Sequence, residues 1–447
     1  ERLQQALVPA EEQPYEVPEN WVWVRLGEVT KVVGGGTPST SKKEYYDEGN
    51  ISWLSPVDLS NYNGIYISRG NKMITLEGLN NSSAKLLPRD TVCLTSRAPI
   101  GYVAIAEKEL CTNQGFKSFL PSPTYLAKFL YWYLKGNKEL LESKASGTTF
   151  LELSASKAAT IEFPLPPLSE QQRIVERIEE LFAKLDEAKE RLQEVADSFA
   201  VRKAAILHKA FTGELTKQWR RENGVSDESW EEKKLGEVGS WLGGGTPSTS
   251  REEYWENGNI LWITSKDMKS TVIEDTLMKV NEKGVKNSSA NYIEKPALLV
   301  VMRSGILRRT FPVAMVKKPF TVNQDLKAII PDEDDLEFLY WMLLSNEQRI
   351  LNTCMKNGTT VESINSNALK DLTFKCPSLP EQHEIVRLID ALLARERAAQ
   401  QAAEQALASI DLMKKSILAR AFRGELGTNK ASEASALELL RQVLAEN

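Results

Sequence analysis

Gly34-Gly35-Gly36-Thr37-Pro38-Ser39-Thr40 returns, residue for residue, as Gly243-Gly244-Gly245-Thr246-Pro247-Ser248-Thr249, 209 positions later. The match extends to both sides. Gly27-Glu28-Val29 answers to Gly236-Glu237-Val238, and Tyr45, Gly49-Asn50-Ile51 and Trp53 answer to Tyr254, Gly258-Asn259-Ile260 and Trp262. Asn113-Gln114 recurs as Asn323-Gln324, and Gly147-Thr148-Thr149 as Gly358-Thr359-Thr360. Farther on, Glu170-Gln171 and Ile174-Val175 recur as Glu381-Gln382 and Ile385-Val386, and Ala210-Phe211-Thr212-Gly213-Glu214-Leu215 as Ala421-Phe422-Arg423-Gly424-Glu425-Leu426. Solenoids repeat every ~20 to 50 residues, so a period this long marks a duplicated domain and predicts pseudo-twofold symmetry within the chain.

Each copy reads as a globular part followed by a helical part. In the globular parts, runs such as Trp21-Val22-Trp23-Val24, Ile51-Ser52-Trp53-Leu54, Asp90-Thr91-Val92-Cys93-Leu94 and Val300-Val301-Met302 are punctuated by Gly and Asn, the pattern of short strands and turns. The period then changes. Leu126, Phe129, Leu130, Tyr133 and Leu134, and likewise Leu336, Leu339, Tyr340 and Leu343, recur every three or four residues, which predicts a helix with one apolar face. Ser122-Pro123 is expected to start the first of these helices, and the acidic run Asp332 to Asp335 the second. The fold class that follows is α+β, with two mixed α/β globular domains.

Beyond Pro164-Leu165-Pro166-Pro167 and Pro377-Ser378-Leu379-Pro380, no Pro or Gly occurs until Gly213 and Gly424. Two uninterrupted helices are predicted there, each about 60 Å long at about 1.5 Å per residue. In the first, Ile174, Ile178, Leu181, Leu185, Ala188, Leu192, Val195 and Phe199 alternate steps of four and three; Ile385, Ile389, Leu392, Ala399, Ala403, Ala406, Ile410 and Met413 do so in the second. That is a heptad seam, broken once by Glu396 opposite the position of Leu185. A long helix with one apolar stripe cannot hide it alone, and the matching stripe of its duplicate is the nearest partner, so an antiparallel coiled coil is expected. Such a rod would hold the globular domains at a fixed distance. Packing of each helix on its own globular domain is the alternative. The boundaries read as an N-terminal extension over 1–19, globular domains over 20–166 and 229–376, long helices over 167–215 and 377–426, a linker over 216–228 and a tail helix over 427–447. Whether that tail meets a partner or folds back is left open.

The chain has 447 residues, 42% apolar and 26% charged, which is ordinary for soluble proteins and too long for one small domain. A formal charge of −5 excludes a uniformly basic surface and leaves room for a local basic patch. Cys93, Cys111, Cys354 and Cys376 are too scattered for a disulfide framework or a metal knuckle, and His208 and His383 are the only histidines, so no metal site is expected and a reducing cytoplasm is. Apolar runs such as Ala297 to Met302 are far shorter than a bilayer span, and no charged-then-apolar leader is visible; the start at Glu1 reads as trimmed.

Motifs for catalysis are missing. Gly34 to Thr40 lacks the lysine of a phosphate-binding loop, GxGxxG is absent, and the only double proline, Pro166-Pro167, lies between leucines rather than in an Asp/Asn-Pro-Pro-aromatic tetrapeptide. Both histidines fall in the long helices, away from any Ser-His-Asp arrangement. The chain is expected to catalyse nothing by itself.

The joint pattern resembles the specificity subunit of type I restriction-modification systems. It is carried by the two Gly-Gly-Gly-Thr-Pro-Ser openings, by Pro164-Leu165-Pro166-Pro167-Leu168-Ser169-Glu170-Gln171-Gln172-Arg173-Ile174-Val175 and its relative Cys376-Pro377-Ser378-Leu379-Pro380-Glu381-Gln382-His383-Glu384-Ile385-Val386, and by the two Ala-Phe-x-Gly-Glu-Leu closings. The resemblance covers about residue 20 to 426. It implies two target recognition domains, each reading one half of a bipartite site on double-stranded DNA, and a coiled-coil spacer that docks two modification subunits. Those partners would bind S-adenosylmethionine and methylate adenine N6, restriction subunits would join to cut and translocate, and this chain would hold no cofactor. Ser96-Arg97-Ala98-Pro99-Ile100-Gly101 in the first copy stands against Met302-Arg303-Ser304-Gly305-Ile306-Leu307-Arg308-Arg309 in the second, so the half-sites should differ.

DNA recognition needs phosphate clamps and a few side chains at base edges. Lys295, Arg303, Arg308, Arg309, Lys317 and Lys318 fall between Glu294 and Asp325 with no acid among them, the best basic patch. In the first copy the candidates are Arg97, Lys117 and the pair Lys42-Lys43. Arg251 follows the second Gly-rich loop as Lys42 follows the first. Arg97 and Arg303 each close an apolar strand, where an arginine either reads guanine or pairs with an acid. Thr37, Ser39, Thr40, Thr246, Ser248 and Thr249 suit phosphate or the cap of the next short helix. Asn113-Gln114 and Asn323-Gln324 have amide geometry for adenine, but their sameness favours a turn or a shared contact. Thr148-Thr149 and Thr359-Thr360 read as helix caps. The rival in another class is a scaffold whose domains bind proteins; a methyltransferase fused to recognition domains is a third reading.

Overall fold

The structure, a computed structural model, describes residues 2–97, 99–147, 151–356 and 361–446. Two compact units emerge: Glu1–Leu192 together with Gln405–Asn447, and Gln193–Glu404. The boundaries cut through both long helices, so each unit contains the start of one and the end of the other.

In the first unit a five-stranded sheet has the order Val32–Gly34, Phe116–Phe119, Val92–Ser96, Ile100–Ala106, Tyr66–Ile67. Beside it in the same unit lies a three-stranded sheet, Lys72–Ile74, Ile51–Leu54, Cys111–Thr112, and a two-stranded one pairing Val22–Arg25 with Glu162–Leu165. Val92–Ser96 is buried along its whole length, as suits a run of small and apolar side chains with no charge in the central strand of the sheet. The helix Ala127–Gly136 adds Phe129, Leu130, Tyr133 and Leu134 to the core.

The second unit repeats the plan with differences. Its four-stranded sheet runs Gly239–Gly243, Leu326–Pro331, Ala297–Val301, Val313–Val316, and its three-stranded sheet Met278–Val280, Ile260–Ile263, Phe320–Val322. The fifth strand of the first unit is reduced here to an isolated bridge between Val272 and Met315.

The long helices meet within each unit. In the first, Glu170 receives hydrogen bonds from Asn429 Nδ2 (2.7 Å) and Thr428 Oγ1 (3.4 Å), while further along the helix Asp186 pairs with Lys414 (2.6 Å), whose ammonium also lies 5.0 Å from the Phe182 ring. Partner numbers fall as helix numbers rise, so the segments are antiparallel. The second unit does the same: Glu381 meets Thr216 and Arg220, and Glu396 meets Arg202.

Several expectations are corrected. The helix ends are core rather than coiled coil: Ile174, Ile178, Leu418, Ala421 and Phe422 complete the first core, and Ile385, Ile389, Leu393, Leu207 and Ala210 the second. Val195 and Met413 are exposed, and Lys414 takes the inward place that the heptad count gave to Met413, because an α-helix drifts against a strict seven-residue repeat. The first long helix has an irregularity at one residue, although helical hydrogen bonds cross it from the Ser198 amide to the Glu194 carbonyl and from the Arg202 amide to the Ser198 carbonyl, each 3.0 Å. Leu168–Asp197 and Phe199–Phe211 are separated at Ser198, where Ser198 Oγ donates to the Glu194 carbonyl (2.6 Å) and Arg202 Nη2 to the Val195 carbonyl (3.0 Å), competing for helix acceptors. Ser122 caps nothing in Ala127–Gly136; the backbone of Leu126 donates instead to Gln171 Oε1 (2.8 Å) from the long helix. Gln382 does the same for Asp335 (2.8 Å), whose own carboxylate caps Leu336–Ser345. The tail folds back: Ala436 and Leu440 enter the first core, and Arg173 forks onto Glu433 at 2.7 and 2.8 Å.

Candidate nucleic-acid interface

The Gly-rich loop of each unit is pinned by its own neighbours. A Cβ on Gly35 would fall 2.0 Å from the Asn113 carbonyl oxygen, and one on Gly244 1.8 Å from that of Val322, so only glycine allows the loop to cross the following strand this closely. Trp53 Nε1 donates to the Gly36 carbonyl (2.8 Å) and Trp262 Nε1 to that of Gly245 (3.1 Å). Thr37 Oγ1 donates to Gln114 Oε1, and Thr246 Oγ1 to Gln324 Oε1 (2.8 Å). The loop and the Asn-Gln turn therefore form one surface in both units.

Asn113 and Asn323 are turn residues. Asn113 Oδ1 accepts from the Gly115 amide (2.8 Å) and Asn323 Oδ1 from the Asp325 amide (3.1 Å), the local bond of a turn residue, which takes one of the two lone pairs of each oxygen. The loop hydroxyls do not cap the next short helix: Lys42 and Arg251 hold the N-cap positions and no side chain caps either. Ser39 pairs with Ser41 and Ser248 with Ser250, each at 2.9 Å. Thr40 and Thr249 are exposed, as are Lys42, Lys43 and Arg251. Lys42 Nζ donates to Tyr45 OH (2.9 Å), a bond that raises its pKa, and Arg251 Nη1 donates to Tyr254 OH (3.0 Å).

The strand-end arginines join this surface. Arg97 Nη1 lies 3.8 Å from Glu152 Oε2, and Lys117 Nζ 3.5 Å from Glu152 Oε1. Lys117 is a correction. It is buried and donates to Ser96 Oγ (3.2 Å), so it braces the strand pair Val92–Ser96 and Phe116–Phe119 instead of meeting phosphate. In the second unit Arg303 Nε donates to Asp325 Oδ1 (2.7 Å) and Arg308 Nε to Glu362 Oε1. Lys317 pairs with Glu337 (2.8 Å) and Lys318 with Glu274 (2.6 Å), so the basic run that looks acid-free along the chain is answered by acids from elsewhere in the fold. Among the described residues Lys295 and Arg309 make no ion pair, and both are exposed.

Four residues escaped sequence reasoning: Glu152, Asp325, Glu362 and Lys327. Lys327 was within reach, since the repeat sets it opposite Lys117. The carboxylates were not, because they lie in different registers in the two copies. Thr148-Thr149 and Thr359-Thr360 lie outside the described residues. Among the described residues no group of three or more His, Cys, Asp or Glu is placed to hold a metal, and no helix is long and apolar enough to cross a membrane.

The duplicated domain has a counterpart in known proteins. The family model for the type I restriction modification DNA specificity domain matches twice, over residues 18–197 and 227–406. The chain belongs to this family. Among relatives of this specificity subunit, the MjaIX specificity subunit of Methanocaldococcus jannaschii is 31% identical over 402 residues, covering 85% of this chain and 88% of its own. The EcoKI specificity subunit of Escherichia coli K12 is 24% identical, with 96% of each chain covered. The crystal structure of the HsdS subunit from Thermoanaerobacter tengcongensis superposes with a TM-score of 0.67 at 20% identity, covering 93% of this chain and all of that one, and supports the same two-domain, coiled-coil fold. The specificity subunit is the non-catalytic member of a type I system.

Proposed function

We propose that this specificity subunit reads an asymmetric bipartite site on double-stranded DNA, one half-site per unit, and that its paired long helices fix the gap and dock two adenine-N6 methyltransferase subunits. S-adenosylmethionine would sit on those partners, and restriction subunits would add cleavage. The observation that carries the reading is the repeated surface of Gly-rich loop, Asn-Gln turn and strand-end arginine, which keeps its frame in both units and changes the side chains around it. A common frame suits a common backbone contact, and different surroundings suit different bases.

The test is twofold. Specific binding should weaken steeply with salt, because lysine and arginine release counterions from phosphate. Adding one base pair between the half-sites rotates one against the other by about 35°, at about 10 base pairs per turn, and should abolish specific binding. Affinity that ignores both salt and spacing would favour a scaffold whose domains bind proteins.

A further inference from the structure

We propose that Arg303 and Arg308 of the second unit are guanine-reading forks, aimed by Asp325 and Glu362 as positioning residues, so that the half-site read by this unit contains guanine. This deepens the reading above and rests on it.

A guanidinium offers two bidentate edges: Nε with one terminal nitrogen, and the two terminal nitrogens together. In both arginines a carboxylate takes Nε, Asp325 Oδ1 at 2.7 Å for Arg303 and Glu362 Oε1 for Arg308. Neither arginine has another side-chain hydrogen bond among the described residues, so the terminal edge, whose spacing matches O6 and N7 of guanine, stays open. The side chains are 57% and 70% exposed while their carboxylates are only 22% and 20% exposed, so the braces lie inward of the forks.

The braces are themselves held. Asn323 Nδ2 donates to Asp325 Oδ2 (3.3 Å), and the amides of Met302 and Arg303 both donate to the Asp325 carbonyl (2.7 and 3.2 Å). The Ser304 amide donates to the Glu362 carbonyl (3.0 Å), and Arg303 pairs with Ser363 through a backbone bridge. Both forks thus stand on one stretch of ordered backbone at the end of the buried strand Ala297–Val301, and the entropy of orienting them is largely spent before DNA arrives.

The first unit lacks the device. Gly115 stands where Asp325 does, Arg97 turns a terminal nitrogen rather than Nε toward Glu152 at 3.8 Å, and the chain enters the strand Ile100–Ala106 where the second unit carries Arg308.

The experiment selects from a random-sequence duplex library with the assembly isolated through a tag on this chain, comparing wild type with Arg303→Lys, Arg308→Lys and Asp325→Asn. Lysine keeps the charge and loses the fork, so Arg303→Lys and Arg308→Lys should each relax discrimination at a guanine of one half-site by about 5- to 150-fold and leave the other half-site intact. Asp325→Asn should act in two directions: tighter binding to unselected DNA, because an anion is gone, with weaker discrimination at the Arg303 guanine. Melting temperatures close to wild type are expected, since Arg303 and Arg308 are exposed and Asp325→Asn keeps the size and shape of the half-buried side chain. If the variants weaken all sequences equally, or leave the selected motif unchanged, the arginines are phosphate contacts or plain ion pairs; the guanine assignment then falls and DNA reading stands. If wild type enriches no sequence, DNA reading falls and this assignment with it.

Discussion

Replacing Arg220 by alanine should unfold the second unit at a much lower temperature than the first. Arg220 and Glu381 form a pair whose side chains are 5% and 0% exposed, joined at 2.6 Å. Glu381 Oε1 also accepts from Thr216 Oγ1 (2.7 Å), while Oε2 has no hydrogen-bond partner among the described residues, so Arg220 supplies the only opposing charge at hydrogen-bond distance. Removing one partner of such a pair leaves a buried charge and costs about 3–5 kcal/mol. For a unit of this size each kcal/mol lowers Tm by about 2–4 °C, so the calorimetric transition of Gln193–Glu404 should fall by about 6–20 °C while the other transition stays in place. Arg220→Leu combined with Glu381→Leu should recover most of the loss, because desolvation of the pair offsets much of its attraction. A single variant that costs under about 1 kcal/mol, or a double variant worse than Arg220→Ala, would refute the argument.

The two equivalent lysines should part company: Lys117→Ala is expected to lower the stability of the first unit by about 1–3 kcal/mol by leaving the buried Ser96 hydroxyl without its donor, measured by urea unfolding. Lys327→Ala, at a half-buried lysine with no ion pair among the described residues, should leave stability near wild type and reduce the salt slope of DNA binding by about one. The tail carries a pH signature. The hydrogen bond from Arg173 holds Glu433 below its ordinary value of 4.5, so its contribution is complete above that value and is lost as pH falls through the lower folded one. Protection factors of the amides in Ala436–Glu446, corrected for the intrinsic pH dependence of exchange, should fall as pH drops below 4.5 and recover on return to about pH 6; equal protection at both would remove the ion pair as its anchor.

How much of this was legible depended on the range over which each signal acts. The duplication, the mixed α and β content and the two long helices are written in local spacing: a repeated glycine string, apolar residues every second or every third and fourth position, and long intervals without Pro or Gly. The seam was legible only in part, since Ile174, Ile178, Ile385, Ile389 and Ile410 are buried as the heptad predicts and Val195 and Met413 are not. The arginines at the strand ends were visible as candidates. Their partners were not, because Asp325, Glu152 and Glu362 reach them across 22, 55 and 54 positions, and no local pattern encodes which acid faces which base.

From the amino-acid order alone come two copies of one mixed domain, each closing on an amphipathic helix, because backbone preference and apolar periodicity act between near neighbours. Tertiary structure decided that the end of each long helix completes the core of the other copy's unit and that Lys117 braces a sheet, while among the described residues Lys327 has no ion pair and two arginines keep one open edge each. Those outcomes depend on burial and on charges brought together from distant positions, and burial is a property of the packed whole.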